Sequence, residues 1–99
     1  MSTDLMRMQM IFSKEDMSRI ELSESGIVVD LHGKHKGEAK RLINNIINIV
    51  NHPFIMDIIH GYNNGLVLKK MIHEERINSR VKGKYSNSYN YGETFLVIA

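Results

Sequence analysis

The sequence predicts an α/β fold, a two-layer sandwich in which two main helices pack on a four-stranded mixed sheet. Three observations support this prediction: four short β-rich runs, two amphipathic stretches at helical spacing, and their order β-α-β-α-β-β along the chain. The 99 residues suffice for one hydrophobic core but not for two. An apolar fraction of 42% is ordinary for a globular domain and too high for a disordered chain.

Residues 1–25 form a predicted N-terminal extension. Apolar residues alternate at its start, which predicts a strand, and Ser13-Lys14-Glu15-Asp16 is typical of a capping box before a short helix through Met17 and Ile20. The alternating residues are Met6, Met8, Met10 and Phe12. We interpret the extension as a partly ordered arm whose methionines cover an edge of the core. A homodimer contact through this arm is the second interpretation.

The predicted α/β domain spans residues 26–99. A β-rich run at 27–32 is followed by a stretch at 37–50 with apolar residues at helical spacing. Pro53 ends that helix, because proline cannot continue one. The remaining predicted elements are a strand at 54–60, a helix at 66–77, a strand at 80–85, a polar loop at 86–92 and a strand at 94–98.

The composition narrows the class of protein. The sequence contains no cysteine, so disulfides and thiolate metal sites are excluded. Because secreted domains of this size usually need such cross-links, we expect a cytoplasmic protein. Asp4 and Arg7 interrupt the methionine-rich start, so we predict neither a signal peptide nor a membrane span, and no membrane partner.

The first candidate site lies where the strand 27–32 ends in His32-Gly33. Because side chains alternate along a strand, Asp30 and His32 share one face. An aspartate beside a histidine fixes the tautomer of the ring and stabilises its charged form, which suits general acid–base catalysis. The alternative is a structural hydrogen bond between Asp30 and His32 that closes a loop.

A second His-Gly pair, His60-Gly61, ends the strand 54–60. A strand–helix–strand unit is almost always a right-handed crossover between parallel strands, so both pairs are expected at the edge where open α/β sheets bind ligands. The loop that follows leads into a helix whose N-terminus can bind phosphate. A tight strand-to-helix turn explains this loop equally well, since it lacks the Gly-Lys-Ser/Thr of a Walker loop. The loop residues are Tyr62, Asn63, Asn64 and Gly65.

Positive charge is concentrated after residue 30. Residues 1–30 contain six acids and three bases, whereas residues 31–99 contain ten bases and five acids, a balance that suits a polyanionic partner. Arg80, Lys82 and Lys84 alternate on one predicted strand and could neutralise successive phosphates. The alternative is an edge strand that its lysines keep soluble. Lys69 adds charge on the second helix, and Tyr62 is the best candidate to stack on an unpaired base.

The two His-Gly motifs resemble those of Smr (small MutS-related) domains. Val-Val-Asp-Leu-His-Gly at 28–33, with Glu38-Ala39 on the next helix, is similar to the family's Leu-Asp-Leu-His-Gly motif and its following Glu-Ala. The second family motif, His-Gly-x-Gly-x-Gly, falls on residues 60–65, with Asn63 where the family usually has glycine. Gly92-Glu93-Thr94 before an apolar strand is similar to the ending of the family pattern, so the resemblance covers about residues 27–98.

The resemblance implies a fold similar to the C-terminal domain of a bacterial translation initiation factor, and binding of DNA or RNA. It also implies, in many members, endonuclease activity, with a metal requirement that varies, and ribosome association in some. As an endonuclease, His32 would act as acid or base oriented by Asp30, and His60 would supply the complementary proton or stabilise the phosphorane charge.

The phosphate would be held by the backbone of Gly33 and 61–65 and by Arg80 and Lys82. Two alternatives remain: a non-catalytic binding or adaptor module, and a binder of small phosphate compounds. No cofactor is predicted. A metal triad of Asp30, His32 and His60 has no support from local ligand spacing.

Overall fold

The structure is a computed structural model that describes residues 2–61 and 65–99. Its sheet has five strands in the order β1-β2-β3-β5-β4. The helices are α1 (Ser2–Ile11), α2 (Lys14–Ser18), α3 (Lys36–Ile49) and α4 (Gly65–Glu74). The strands are β1 (Ile20–Leu22), β2 (Gly26–Asp30), β3 (Phe54–Ile59), β4 (Val81–Asn87) and β5 (Asn90–Ile98). Within the described residues, no helix is long and apolar enough to cross a membrane.

The predicted β-α-β unit is confirmed. β2 and β3 are parallel neighbours joined through α3, with Val29 opposite Ile58 and Asp30 opposite Ile59. β5 lies antiparallel between β3 and β4, which makes the sheet mixed. The two strands that end in His-Gly therefore finish at the same edge of the sheet.

The core lies between the helices and one face of the sheet. Side chains alternate along the strands, so β2 buries Ile27 and Val29, whereas Val28 points the other way. The same alternation in β3 buries Met56 and Ile58 against α3 and α4. We call the opposite side of the sheet the open face; its residues are Glu21, Val28, Asp30, Ile55, Asp57, Ile59, Gly83, Tyr85, Glu93, Phe95 and Val97.

The predicted count of four strands is wrong, because residues 20–22 of the N-terminal segment add a fifth strand that pairs antiparallel with β2. The predicted strand at Met6–Phe12 is also wrong, since residues 2–11 are helical. Methionine is a good helix former, and Asp4 and Met8, one turn apart, form the buried side of α1. Met6 and Met10 are exposed, and a homodimer contact through them stays a prediction. The predicted capping box is confirmed in part, because the Asp16 amide donates to the Ser13 hydroxyl at the start of α2, but the helix ends at Ser18 and does not reach Ile20, which belongs to β1.

The predicted row of cations on one strand face is wrong, because β4 contains an irregularity. Val81 is opposite Ile98 and Gly83 is opposite Val97, so Lys82 is an extra residue without a partner in β5. Beyond it, Lys84 is opposite Leu96 and faces the helices. The bulge thus places Lys84 on the same side as Val81, where strict alternation would have separated them.

Candidate functional site at the two His-Gly strand ends

The His-Gly edge, as we call residues 30–33, 60–61 and 92, is formed by tight backbone contacts. After β2, the Lys34 amide donates to the Leu31 carbonyl (3.1 Å), and Gly33 has φ +79°. That left-handed conformation is the one glycine supplies at the third position of a type II turn. The amides of His60 and Gly61 both donate to the Gly92 carbonyl, at 2.8 and 3.1 Å, and so bring β5 to the same place.

Gly61 brings the two predicted motifs into contact. Its φ is +81°, and a Cβ built on it would lie 3.4 Å from the Cβ of His32. Any larger residue here would therefore be strained by the backbone and would press on His32. Tyr62, Asn63 and Asn64, which the sequence also assigned to this site, lie outside the described residues.

Asp30 and His32 form a hydrogen-bonded pair that faces solvent. The ring Nδ1–H of His32 donates to Asp30 Oδ1 at 2.5 Å, and the backbone amide of His32 donates to the same oxygen at 3.1 Å. The His32 side chain is 68% exposed and that of Asp30 is 39% exposed. Because Asp30 fixes Nδ1 as the protonated nitrogen, Nε2 is the ring nitrogen turned away from the carboxylate.

Arg19 binds the backbone of this pair. Its guanidinium donates to the carbonyls of Asp30 (3.0 Å) and His32 (2.8 Å) and to the carboxylate of Glu15 (2.7 Å). The backbone carbonyl of Arg19 also accepts from the Asp30 amide. The N-terminal segment, which the sequence separated from the domain, therefore holds the backbone of the first His-Gly pair.

His60 lies at the predicted edge but faces the helix layer. It follows Met56 and Ile58 in the alternation of β3, and it is 1% exposed. Its Nδ1–H donates to the Gly61 carbonyl (3.3 Å), and its Nε2 accepts from the Thr94 hydroxyl (3.0 Å). Burial lowers the pKa of His60, against the opposing effect of the Gly61 hydrogen bond. The ring is a neutral internal group and is turned away from the open face, on which Asp30 lies.

His73 completes a chain of polar groups inside the domain. Its Nε2–H donates to Thr94 Oγ1 at 3.1 Å, and the Ser86 hydroxyl lies 3.3 Å from the same nitrogen. Burial lowers the pKa of His73, and Lys69 and Lys84 lower it further. With both rings neutral, one consistent set of donors runs from His73 through Thr94 to His60 and the Gly61 carbonyl.

Two of the predicted phosphate-binding cations, Arg80 and Lys84, donate hydrogen bonds to backbone carbonyls. Arg80 donates to the carbonyls of Ile47, Val50 and Ala99 at 2.5 to 2.7 Å. It also lies at the opposite edge of the sheet, because Val81 is opposite Ile98, which in turn is opposite the first residue of β3. The Nζ of Lys84 donates to the carbonyls of His73 and Glu75 at the end of α4. Such bonds satisfy carbonyls that a helix C-terminus leaves unpaired.

Lys69 and Tyr91 form a second exposed feature near the His-Gly edge. The Lys69 Nζ lies 5.7 Å from the centre of the Tyr91 ring, within the range of a cation–π contact. Tyr91 is next to Gly92 and 68% exposed, and Tyr89 in the neighbouring hairpin turn is 97% exposed. Lys36 begins α3 just after the first His-Gly turn and pairs with Glu75.

Sequence reasoning missed Arg19, His73 and Thr94. His73 sits on a helix with no pattern to distinguish it from a surface histidine, and Arg19 lies in the segment set apart from the domain. The inward orientation of His60 could have been predicted from the sequence, because alternation along β3 places it on the same side as the apolar Met56 and Ile58. In residues 2–61 and 65–99, no group of three or more His, Asp or Glu side chains could hold a metal ion.

In comparisons with known proteins, no family model, no curated protein and no solved structure matches the chain.

Proposed function

We propose that this chain is a nucleic-acid-binding domain of Smr type that cleaves phosphodiester bonds at the His-Gly edge. The observation that carries the proposal is the exposed Asp30–His32 pair, with Nδ1 held at 2.5 Å by the carboxylate. The resemblance of residues 27–98 to Smr domains supplies the substrate class. The substrate is DNA or RNA, and the assay below distinguishes them.

His32 is the proton carrier in this proposal. Its Nε2 takes the proton of the attacking hydroxyl or water, or donates one to the leaving oxygen, while Asp30 holds the tautomer and stabilises the imidazolium. His60 is buried, so it acts by fixing the Gly61 carbonyl and hence the backbone that contacts His32. This role replaces the direct proton transfer expected for His60 from the sequence.

The surroundings of the pair suit a polyanion with unpaired bases. α3 and α4 both begin at this edge, so the positive ends of their dipoles face it. Lys69 and Lys36 add charge. Tyr89 and Tyr91 present exposed rings on which bases can stack. Gly33 leaves open space beside the turn, which lets a backbone approach closely.

The test is cleavage of labelled single-stranded RNA and DNA, with and without a divalent metal. The variants are His32→Ala and Asp30→Asn. His52→Ala serves as a control because His52 precedes β3 at the opposite edge; since its ring pairs with the buried Asp4, urea unfolding first establishes that this variant is folded under the assay conditions. We expect each of the first two variants to slow cleavage about a hundredfold, the scale for removal of a general acid or base, with binding affinity nearly unchanged. Equal cleavage by the wild type and His32→Ala would refute the proposal.

A binding module without catalysis is the second candidate function. The burial of His60 favours it, because it turns the second predicted catalytic histidine away from the face on which Asp30 lies. In that case the wild type binds the same oligonucleotides with a marked salt dependence but leaves them intact under every metal condition.

A further inference from the structure

The open face of the sheet is an apolar surface with no helix on it in the described part of the chain. The buried side chains of α1, α3 and α4 form one core with the side chains of the other face, and the side chains that point to the open face are half-buried or exposed. Ile55 is 40% exposed and Tyr85 is 60% exposed. The apolar side chains of this face are Val28, Ile55, Ile59, Tyr85, Phe95 and Val97.

Two carboxyl groups lie in the middle of this apolar surface. Asp57 is opposite Phe95 in the β3–β5 pairing, and Glu93 is one pair further along. The Asn87 amide donates to Glu93 Oε1 at 2.6 Å, whereas no donor in the described residues reaches the buried Oδ1 of Asp57. Burial raises the pKa of Asp57 to about 7, and a hydrogen bond with the Glu93 carboxyl and then its charge add to the rise. An acceptor left unpaired in this way destabilises the isolated domain.

The strand pairing adds further carboxylates to this face: β1 contributes Glu21 and β2 contributes Asp30. On the opposite side, the cations of α3 and α4 outnumber the carboxylates of these helices, Glu38 and Glu74, although Lys36 and Lys40 pair with Glu75. The cations are Lys36, Lys40, Arg41, Lys69 and Lys70. Phosphates are therefore attracted to the helix side and repelled from the open face.

We propose that the open face docks a protein segment that presents a lysine or arginine between apolar side chains. The cation sits on Asp57 and Glu93 and supplies the donor that Asp57 Oδ1 lacks, and the flanking apolar groups cover Ile55 and Phe95. Charge complementarity selects a basic partner, and the same carboxylates repel the phosphates of a nucleic acid. Burial of the pair beneath the partner strengthens the attraction, because water no longer screens it.

The test uses acetylated, amidated peptides of sequence Leu-Ser-X-Ser-Leu, in which X is lysine, arginine, leucine or glutamate. In an extended peptide, alternate side chains share one side, so X and the two leucines face the sheet together. Amide chemical shifts of the isotope-labelled protein report weak binding and its location. We expect the lysine and arginine peptides to shift amides around Asp57 and Glu93, and the leucine and glutamate peptides to leave them unchanged.

The double variant D57N/E93Q keeps the shape of the pair and removes its charge. We expect it to bind the lysine and arginine peptides about tenfold more weakly or worse, whereas E21Q, which removes a carboxylate from the edge strand of the same face, keeps most of the affinity. An amide spectrum like that of the wild type establishes that the variants fold. Because the His-Gly edge is not involved, cleavage or binding of nucleic acid by these variants is a separate readout.

Three results would overturn the proposal: equal binding of the leucine peptide, shifts confined to α3 and α4, or unchanged binding by D57N/E93Q. A fourth is self-association in sedimentation experiments that is lost in D57N/E93Q, since the occupant would then be the basic side of a second copy.

Discussion

Thr94 is the residue on which both inward-facing histidines depend. Its hydroxyl donates to His60 and accepts from His73, so it joins β3, β5 and α4 at one atom. It is 0% exposed, and a buried polar group that loses its partner is costly. The chain of groups thus holds the second His-Gly pair in place from inside the domain.

Thr94→Val tests this role, because valine has the same shape and no hydroxyl. We expect the free energy of unfolding to fall by about 1 to 3 kcal/mol, the cost of leaving the buried ring nitrogens unpaired. Urea denaturation measures the change. Ser86→Ala is the control: it removes an exposed hydroxyl at 3.3 Å from His73, and its effect should stay within about 0.5 kcal/mol. Equal effects of the two substitutions would contradict a special role for Thr94.

The limits of sequence reasoning are visible at single residues. The hydrogen bond between Asp30 and His32 follows from strand alternation and the turn after β2, and both are local. By contrast, Thr94 lies 34 residues beyond His60 along the chain, and only the packing of α4 on β5 brings His73 to Thr94. Local patterns carry no information about such contacts.

At the scale of elements, Arg80 links parts of the chain that lie far apart in sequence. Its guanidinium joins the last carbonyls of α3, at Ile47 and Val50, to His52 and to Ala99 after β5. These bonds satisfy helix C-terminal carbonyls that would otherwise be unpaired. The sequence presents Arg80 as one of three alternating cations, and nothing in that pattern reveals carbonyl partners about 30 residues away.

Arg80→Ala should therefore lower stability much more than an ordinary surface substitution. Hydrogen bonds to a charged donor each contribute about 1.5 to 3 kcal/mol, and since these contributions are not additive we expect a total loss of about 3 kcal/mol. Thermal and urea unfolding measure the loss. Lys82→Ala, two residues further on at an exposed bulge, should change stability by less than about 0.5 kcal/mol. A small effect at Arg80 would mean that water replaces the arginine without loss.

The proposed nucleic-acid surface can be tested near the His-Gly edge. The hairpin of β4 and β5 and the first turns of α4 meet there. Lys69→Gln should weaken binding of single-stranded oligonucleotides and lower the slope of log affinity against log salt by about one. Tyr91→Ala should weaken binding without changing this slope, because it removes stacking worth about 1 to 3 kcal/mol but no charge. Fluorescence anisotropy at several salt concentrations measures both.

Lys82→Gln is the matched control for that experiment, because it removes one charge at the opposite edge of the sheet. Its affinity should equal that of the wild type. If Lys82→Gln weakens binding as much as Lys69→Gln does, the nucleic acid does not lie at the His-Gly edge.

At the scale of the whole molecule, the open face links stability to pH. The pKa of Asp57 rises from 3.8 to about 7 on folding, so the folded state holds this proton more tightly than the unfolded chain does. The stabilisation is complete below pH 3.8 and is lost as the pH rises through 7. Glu93 also faces this surface, and its charge acts in the same direction.

Asp57→Asn isolates this contribution from that of the histidines. The pKa values of His60 and His73 are lowered on folding, so their contribution has the opposite sign and increases as the pH rises toward 6.5. The difference in unfolding free energy between wild type and Asp57→Asn should therefore shift against the wild type between about pH 4 and 7. Urea unfolding at pH 4.5, 6 and 7.5 gives this difference. A difference independent of pH would show that Asp57 ionises normally in the fold.

The parts of the architecture that depend on local periodicity were predictable from the sequence. The parallel pair β2–β3, the amphipathic α3 and the position of Pro53 after it follow from patterns within short windows. The fifth strand did not, because the three residues at 20–22 are too few to establish a period and form a strand through pairing with β2. The bulge at Lys82 was hidden for the same reason: it depends on the register with β5.

The position of β5 has a consequence for the chain as it leaves the ribosome. β2, α3 and β3 emerge first, but one edge of β3 stays unpaired until residues 90–98 have been made, because β5 fills the place between β3 and β4. During that interval the alternating apolar side chains of β3 and an open row of backbone groups are available to other nascent chains. A nascent chain in which β3 has left the exit tunnel while β5 is still inside it would therefore display the form of this protein most prone to aggregate, although the finished fold covers that edge completely.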